Sequence, residues 1–280
     1  MTRFAAPELL RLGRPPALAA QDFETLNAAS LSDLLERYSA AGITYDVQML
    51  ESDLAVIVTQ SGADRIMHAR QAIDDSVAQT YLGSASQAFL DHRAADYGVV
   101  RRVLVAANPV TGQAEVLEDD ASLELRARLS WEALSVAGPV GAYVFHALDA
   151  HPYVLDAMPY GPETGYVEPG EVLVVIQSRD NGGVPSDAMI DAVAARLDAY
   201  EVIYGSGQSI VRPVRDRQSV RPLGARVTVA AAQPVTYTTT ATLYVTADGD
   251  REALRLAALA RLEAYQETRR RIGREVPASG

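Results

Sequence analysis

Near residue 153 the spacing of apolar residues changes from a helical period to a strand period, and this switch divides what the chain can fold into. Before it, short amphipathic stretches end at glycine or proline. After it, the order reads strand, strand, helix, strand, strand, helix. The strands are expected near Val154–Pro159, Glu171–Ser178, Ala225–Ala231 and Thr236–Thr246, and the helices near Ser186–Tyr200 and Asp250–Ile272. In the last strand Tyr237, Thr239, Ala241, Leu243 and Val245 fall on one face. Thr238, Thr240, Thr242, Tyr244 and Thr246 fall on the other. Such alternation suits a sheet covered on one side by helices. The expected fold is α+β: a helical N-terminal region followed by an antiparallel-sheet α/β sandwich module. Residues 1–97 read as helical, 98–153 as a central helical connector, and 154–280 as the α+β domain with an extended loop or hairpin inserted at 201–220.

Within the helical part, Ser30 reads as an N-cap for Leu31, Leu34, Leu35 and Tyr38, with Gly42 as the stop. A second apolar run begins near Ser52-Asp53. A longer helix is expected from Ala63 to Tyr81, where Ile66, Ile73, Val77 and Tyr81 make one narrow stripe. A narrow stripe on a helix about 28 Å long suits a partner helix better than a thick core. Ser84 and Gln87 have the spacing of a capping box, which would start the next helix with Phe89 and Leu90 inward.

Val99 to Ala106 has strand composition, and Asn108-Pro109-Val110-Thr111-Gly112 reads as a turn. Asp119 and Asp120 precede a helix expected from Ala121 to Val136, where their carboxylates cap free amides. Gly138 then ends that helix and Pro139 opens the next at its first position, so Gly138-Pro139 is a corner that fixes the angle between two helices.

A chain of 280 residues buries about three quarters of its unfolded surface and needs no covalent staple. Cysteine is absent, which removes disulfides, thiolate metal sites and thiol catalysis together. No apolar run reaches the ~18 residues of a membrane span, and the N-terminus shows no secretory signal. The net charge of -11 argues against nucleic acid, which selects a basic face. Every basic residue is arginine. A GC-rich coding bias accounts for that usage, and arginine's planar fork also suits buried ion pairs.

Catalytic and metal patterns are missing from the sequence. His68, His92, His146 and His151 are scattered, and the spacing of the last two does not put them on one helical face. Glu118-Asp119-Asp120 lacks the alternating register of a calcium loop. Asp180-Asn181-Gly182-Gly183 and Gly205-Ser206-Gly207 lack both the dinucleotide fingerprint and a P-loop lysine, so turn geometry is their expected use. The serines have no GxSxG elbow. No catalytic residue, metal ligand or cofactor is expected.

Five short motifs, in order, resemble those of the J-like baseplate family of contractile-tailed phages (P2-like and Mu-like tails). Leu90-Asp91, Ala94, Gly98 and Arg101 fit "LD-x-x-A-x-x-x-G-x-x-R". Asp120, Leu125, Arg126 and Arg128 fit an acidic approach to "LR-x-R". Ala137, Gly138, Pro139, Tyr143 and Ala147 fit "AGP-x-x-x-Y-x-x-x-A". Pro169, Gly170, Val172 and Val174 fit "PG-x-V-x-V", and Arg221, Pro222, Leu223, Val227 and Val229 fit "RPL-x-x-x-V-x-V". The match runs from about Leu50 to Gly273, and each motif alone is weak. The chain departs from the family by inserting Glu201 to Val220, with a second Arg-Pro at Arg212-Pro213. Gly224 and Ala225 stand where members often carry Thr and Asp. Many members continue into a further strand after the position of Ile272-Gly273, so contacts of that strand are not carried over.

The resemblance implies a non-catalytic wedge subunit of the virion tail baseplate, assembled in the host cytoplasm. Its copies would associate through N-terminal helices, bind a smaller wedge subunit, and meet sheath-initiator-like and hub proteins in a ring linked to sheath contraction. On that reading Ile66, Ile73, Val77 and Tyr81 meet partner helices. Asp120, Arg126, Arg128, Gly138, Pro139, Tyr143, Arg221 and Pro222 form a structural joint, with ordinary intradomain pairing as the other use of its arginines. Two alternatives are a tail-associated component that binds or hydrolyses glycans and a small-molecule-binding α+β protein. The first would want aromatic platforms, yet Trp131 is the sole tryptophan; the second rests on the acidic charge and the loop from Tyr200 to Val220.

Overall fold

The computed structural model describes residues 15–20, 22–45, 50, 52–135, 137–212, 220–244 and 250–274. The chain divides into two compact units, Glu8–Arg93 and Ala94–Gly280.

The first unit is built on two helices, α1 (Phe23–Ala40) and α2 (Leu54–Ala78), packed against each other. α1 starts earlier than Ser30. Asp22 is the N-cap, its carboxylate accepting from the Thr25 amide at 2.7 Å, whereas the Ser30 hydroxyl donates to the Leu26 carbonyl inside the helix. Gly42 ends it as expected: φ is +72°, and its amide and that of Ile43 donate to Ser39 and Tyr38.

The second apolar run and the long helix are one element. Asp53 caps α2 through the Ala55 amide at 2.9 Å, and Gly62 is carried inside the helix with no break. Tyr81 lies beyond the end of α2, in a turn where its amide donates to Ala78. Only thin apolar burial holds the pair. α1 has no buried residue, and α2 buries Val56, Ala63 and Ala78. The Ser84–Gln87 capping box is not formed: α3 starts only at Gln87, whose φ is +48°, and the Ser84 hydroxyl donates back to the Ala78 carbonyl. α3 (Gln87–Ala95) follows, with Leu90 buried but Phe89 61% exposed, contrary to the inward placement expected for both.

The second unit opens with a hairpin, β1 (Val103–Val105) and β2 (Val116–Leu117). Its turn forms at Asn108, whose side-chain oxygen accepts from the Val110 and Thr111 amides. α4 (Asp120–Leu129) is shorter than the helix expected to Val136, which itself lies outside the described residues. The chain turns at Ser130, whose amide and hydroxyl both donate to the Ala127 carbonyl, and a 3-10 turn at Glu132–Leu134 follows. α5 (Val140–Ala150) has Pro139 as its N-cap, one position before the place expected for it.

The main sheet has five strands: β3 (Val154–Tyr160), β4 (Glu171–Ser178), β5 (Glu201–Ile203), β6 (Ser209–Val211) and β7 (Arg226–Ala231), with α6 (Asp187–Leu197) between β4 and β5. Their order is β3-β4-β7-β5-β6. The outer pairs are antiparallel, while β7 runs parallel to both β4 and β5. The fold is α+β as expected, with a mixed rather than purely antiparallel sheet. Parallel strands in the middle need cover, and α6 packs on β5 and β7 while α5 packs on β3 and on α6. The resulting core is fully closed at Val174, Ile176, Ile190, Val193, Leu197, Val202, Val227 and Val229. Each such side chain contributes about 1.5–3 kcal/mol by leaving water.

The inserted segment, read as an extended loop or hairpin, is a hairpin joined to the sheet in its described part, 201–212; residues 213–219 are outside the described set. One expectation fails here. The long strand expected at Thr236–Thr246 is not a strand in its described part, up to Tyr244. The last ladder bond runs from the Ala232 amide to Ile176. Beyond it Tyr237 and Leu243 are half exposed and Tyr244 is 94% exposed. Alternation chooses faces, but a strand also needs a partner edge, and the described residues of this segment pair with none. α7 (Arg251–Arg269) closes the described chain, capped by Asp250 and with no buried residue.

Candidate functional site

The helix stripe belongs to the first unit. At 100° per residue, Ile66, Ile73 and Val77 fall within about 40° of one another, roughly 80° around α2 from Val56 and Ala63. Ile66 is 44% exposed, Ile73 48% and Tyr81 43%, while Val77 is half-buried. Ile66 and Ile73 are therefore not consumed by packing within the unit. Leu54, Ile57 and Val58 near the start of α2 are exposed as well. Ile57, however, falls on the opposite side of the helix from Ile66, and Leu54 and Val58 line a hollow with Leu34 and Tyr38 of α1.

The joint residues belong to the second unit and fall into two clusters. In the first, Arg126 on α4 donates to both oxygens of Glu118, at 2.6 and 2.9 Å, in a bidentate pair with each side chain at most 5% exposed. Arg126 also donates to the Val100 carbonyl at 2.7 Å and to Asp149 at 3.2 Å. Arg102 reaches Asp149 at 2.7 Å. Burial and the neighbouring Arg126 guanidinium lower the pKa of Arg102, against the opposing pull of Asp149 and Glu118.

The acids around this cluster divide the work. Asp120 accepts from Arg101 at 2.6 Å, and Asp119 caps α4 through the Ser122 amide at 2.8 Å. Burial pushes the Asp119 carboxyl up, but the Ser122 amide and hydroxyl with Arg179 outweigh it, so its pKa ends below the usual carboxylate value. Arg128 pairs along the same helix with Glu124 at 3.5 Å. Burial raises the Glu124 carboxyl.

The second cluster joins two motifs that are distant in sequence. Gly138 has φ +73°, and a Cβ there would stand 2.7 Å from Cγ of Pro222 and 3.2 Å from the Tyr143 hydroxyl. Glycine is needed twice over, for the left-handed backbone and for the close approach. Tyr143, on the first turn of α5, is buried, and burial raises its hydroxyl pKa against the lowering field of Arg221. Arg221 donates to the Asp198 carbonyl at 3.0 Å, to the Asp198 carboxylate at 3.2 Å and to the Ala225 carbonyl at 2.6 Å. Asp198 is the left-handed C-cap of α6. One guanidinium thus ties the end of α6 to the turn entering β7, and Pro222 from that turn seats on the Gly138 corner.

Sequence reasoning missed Glu118 as a partner of Arg126, and missed Arg102, Asp149 and Asp198. The spacing of eight between Glu118 and Arg126 is not a helical pair spacing, and Asp149 meets Arg102 from 47 residues away. Only the adjacent arginines at Arg101-Arg102, just before the hairpin, offered a local signal.

The side chains gathered here pair with one another and with backbone carbonyls across the corners that they join. Among the described residues, no group of three or more His, Asp or Glu side chains is placed to hold a metal ion. His146 is buried, its pKa lowered by burial first and by Arg196 second; burial and Arg102 likewise lower His151. No helix of the described chain is long and apolar enough to cross a membrane.

Comparison with known proteins agrees with the motifs. Residues 51–108 match the baseplate J-like N-terminal domain, and residues 135–231 match the baseplate J-like central domain. The chain is 30% identical over 276 residues to baseplate protein J of Escherichia phage P2, an alignment covering 97% of this chain and 84% of that protein. With the AGP and RPL motifs meeting at one packed corner and the likeness running through nearly the whole chain, this protein belongs to the baseplate J-like family, the structural proteins of phage tail baseplates.

Proposed function

We propose that the protein is a non-catalytic wedge subunit whose copies associate through the α2 stripe and form a ring around the tail hub. The observation that carries this reading is a 25-residue helix, about 37 Å long, that keeps Ile66 and Ile73 nearly half exposed beside a thin seam. Two helices with so little burial of their own gain stability by adding a partner helix to the same seam. A permanent assembly would bury on the order of 2,000 Å² or more per interface. Other copies, a smaller wedge subunit, and sheath-initiator-like and hub proteins are the proposed partners, with assembly in the host cytoplasm before incorporation into the virion.

In this reading residues 1–97 serve association, 98–153 connect, and 154–280 face the ring. The joint at Gly138, Pro139, Tyr143, Arg221 and Pro222, with the Asp120 and Arg126 pairs beside it, is a rigid corner that passes baseplate rearrangement on to the contracting sheath. Arg128 supports α4 through Glu124. The test is co-expression with the neighbouring tail proteins, followed by native mass spectrometry. A stoichiometric complex that is lost in Ile66→Arg/Ile73→Arg supports the reading. A monomer that binds none of those proteins contradicts it.

A further inference from the structure

Residues 103–117 form a hairpin without one buried side chain. Val103 pairs with Leu117 and Val105 with Val116, yet Val103, Val116 and Leu117 are each about 46% exposed and Val110 at the tip is 92% exposed. A lone two-stranded hairpin is marginally stable in water at best. Whatever holds this one in place must therefore act at its base.

The base is polar and layered. In the deeper layer, Glu118 takes the bidentate pair from Arg126, with both side chains sealed from water. Arg101 braces the same turn by donating to the Glu118 carbonyl and to Asp120, each at 2.6 Å. In the outer layer, Arg102 spans from the hairpin to the C-terminal end of α5. It donates to the Leu148 carbonyl at 2.8 Å, to the Asp149 carbonyl, and to the Asp149 carboxylate at 2.7 Å. The Tyr153 hydroxyl adds one bond to the Leu104 carbonyl at 3.2 Å. Asp149 is also approached by Arg126 at 3.2 Å, which links the two layers, and by Arg196 at 3.6 Å.

The two layers differ in access to water. The side chains of Arg102 and Asp149 are 19% and 29% exposed, against 5% and 4% for Arg126 and Glu118. Parting a pair that water can enter costs far less than breaking a sealed one, whose charges would be left bare. We propose that the hairpin is a hinged arm, latched to the end of α5 by Arg102 and Asp149, which opens as a unit while the Glu118–Arg126 pair and the five-stranded sheet stay in place. The hinge lies at Arg102 and Glu118, where the ladder bond from the Glu118 amide to the Arg102 carbonyl ends the hairpin.

Hydrogen exchange on the full chain, followed by mass spectrometry of peptides, tests this. In Asp149→Asn, exchange across residues 103–117 speeds up by about tenfold or more, while peptides of β4 and β7 stay within about twofold of wild type. Arg102→Gln removes the other half of the latch and gives the same local pattern. Unchanged exchange in the hairpin overturns the proposal. So does an equal acceleration in β4 and β7, or the failure of both variants to fold, since either would place the latch in the cooperative core.

Discussion

At Gly138 one hydrogen atom decides whether two distant motifs can touch. Alanine there would bring a Cβ within 2.7 Å of Pro222 and would hold φ at +73°, so Gly138→Ala should cost about 2–4 kcal/mol and lower the melting temperature by several degrees. The second residue-scale claim concerns charge. Truncating either Glu118 or Arg126 alone strands its partner in a sealed site and should cost about 3–5 kcal/mol in urea unfolding. Replacing both by apolar residues of similar size should cost much less than the sum of the two singles. The third concerns protons. His146 and His151 both have folded pKa values below the ordinary 6.5, so the unfolded chain binds protons more readily. Stability is therefore full above about pH 6.5 and falls as pH drops from there toward the depressed folded values. His146→Gln should flatten that part of a melting-temperature profile between pH 7.5 and 5.

Elements were legible in the sequence where local chemistry determines them. β4 was found at its observed bounds because Val172 to Ile176 is an unbroken apolar run between Pro169-Gly170 and the Asp180 turn. That unbroken run is also the mark of a parallel strand, which the pairing with β7 bears out, but the alternation of Tyr237 to Val245 drew the expectation toward an antiparallel sheet. The same alternation misled again as a strand, since side-chain period says nothing about an available edge. Caps were harder. Asp22, not Ser30, starts α1, and the Ser84 hydroxyl is spent on the end of α2 instead of the start of α3, because each hydroxyl has several backbone carbonyls in reach. In the joint, the Gly138-Pro139 corner and Arg221 were visible as motifs. The acidic partners of Arg126 and Arg221 (Glu118, Asp149 and Asp198) were not, because separations of 8 and 23 residues leave no local pair spacing to read. The arm's latch follows from those hidden acids, and its exchange behaviour is the prediction that belongs to this scale.

For the whole molecule, the contrast in burial between the units matters most. The unit Ala94–Gly280 closes a mixed sheet under α5 and α6, and its core needs no partner to explain it. The unit Glu8–Arg93 has two long helices with three buried residues between them and leaves Ile66 and Ile73 facing outward. A monomer gains nothing from that surface, whereas a baseplate subunit gains an interface. Membership of the baseplate J-like family fits that economy, and under the proposed function α2 is where the subunits meet. The most direct measurement is native mass spectrometry of the chain co-expressed with its neighbouring tail proteins, wild type beside Ile66→Arg/Ile73→Arg, with circular dichroism to show that both are folded. The expected result is a stoichiometric complex for the wild type and a folded, unassembled variant. A variant that assembles as the wild type does would contradict it.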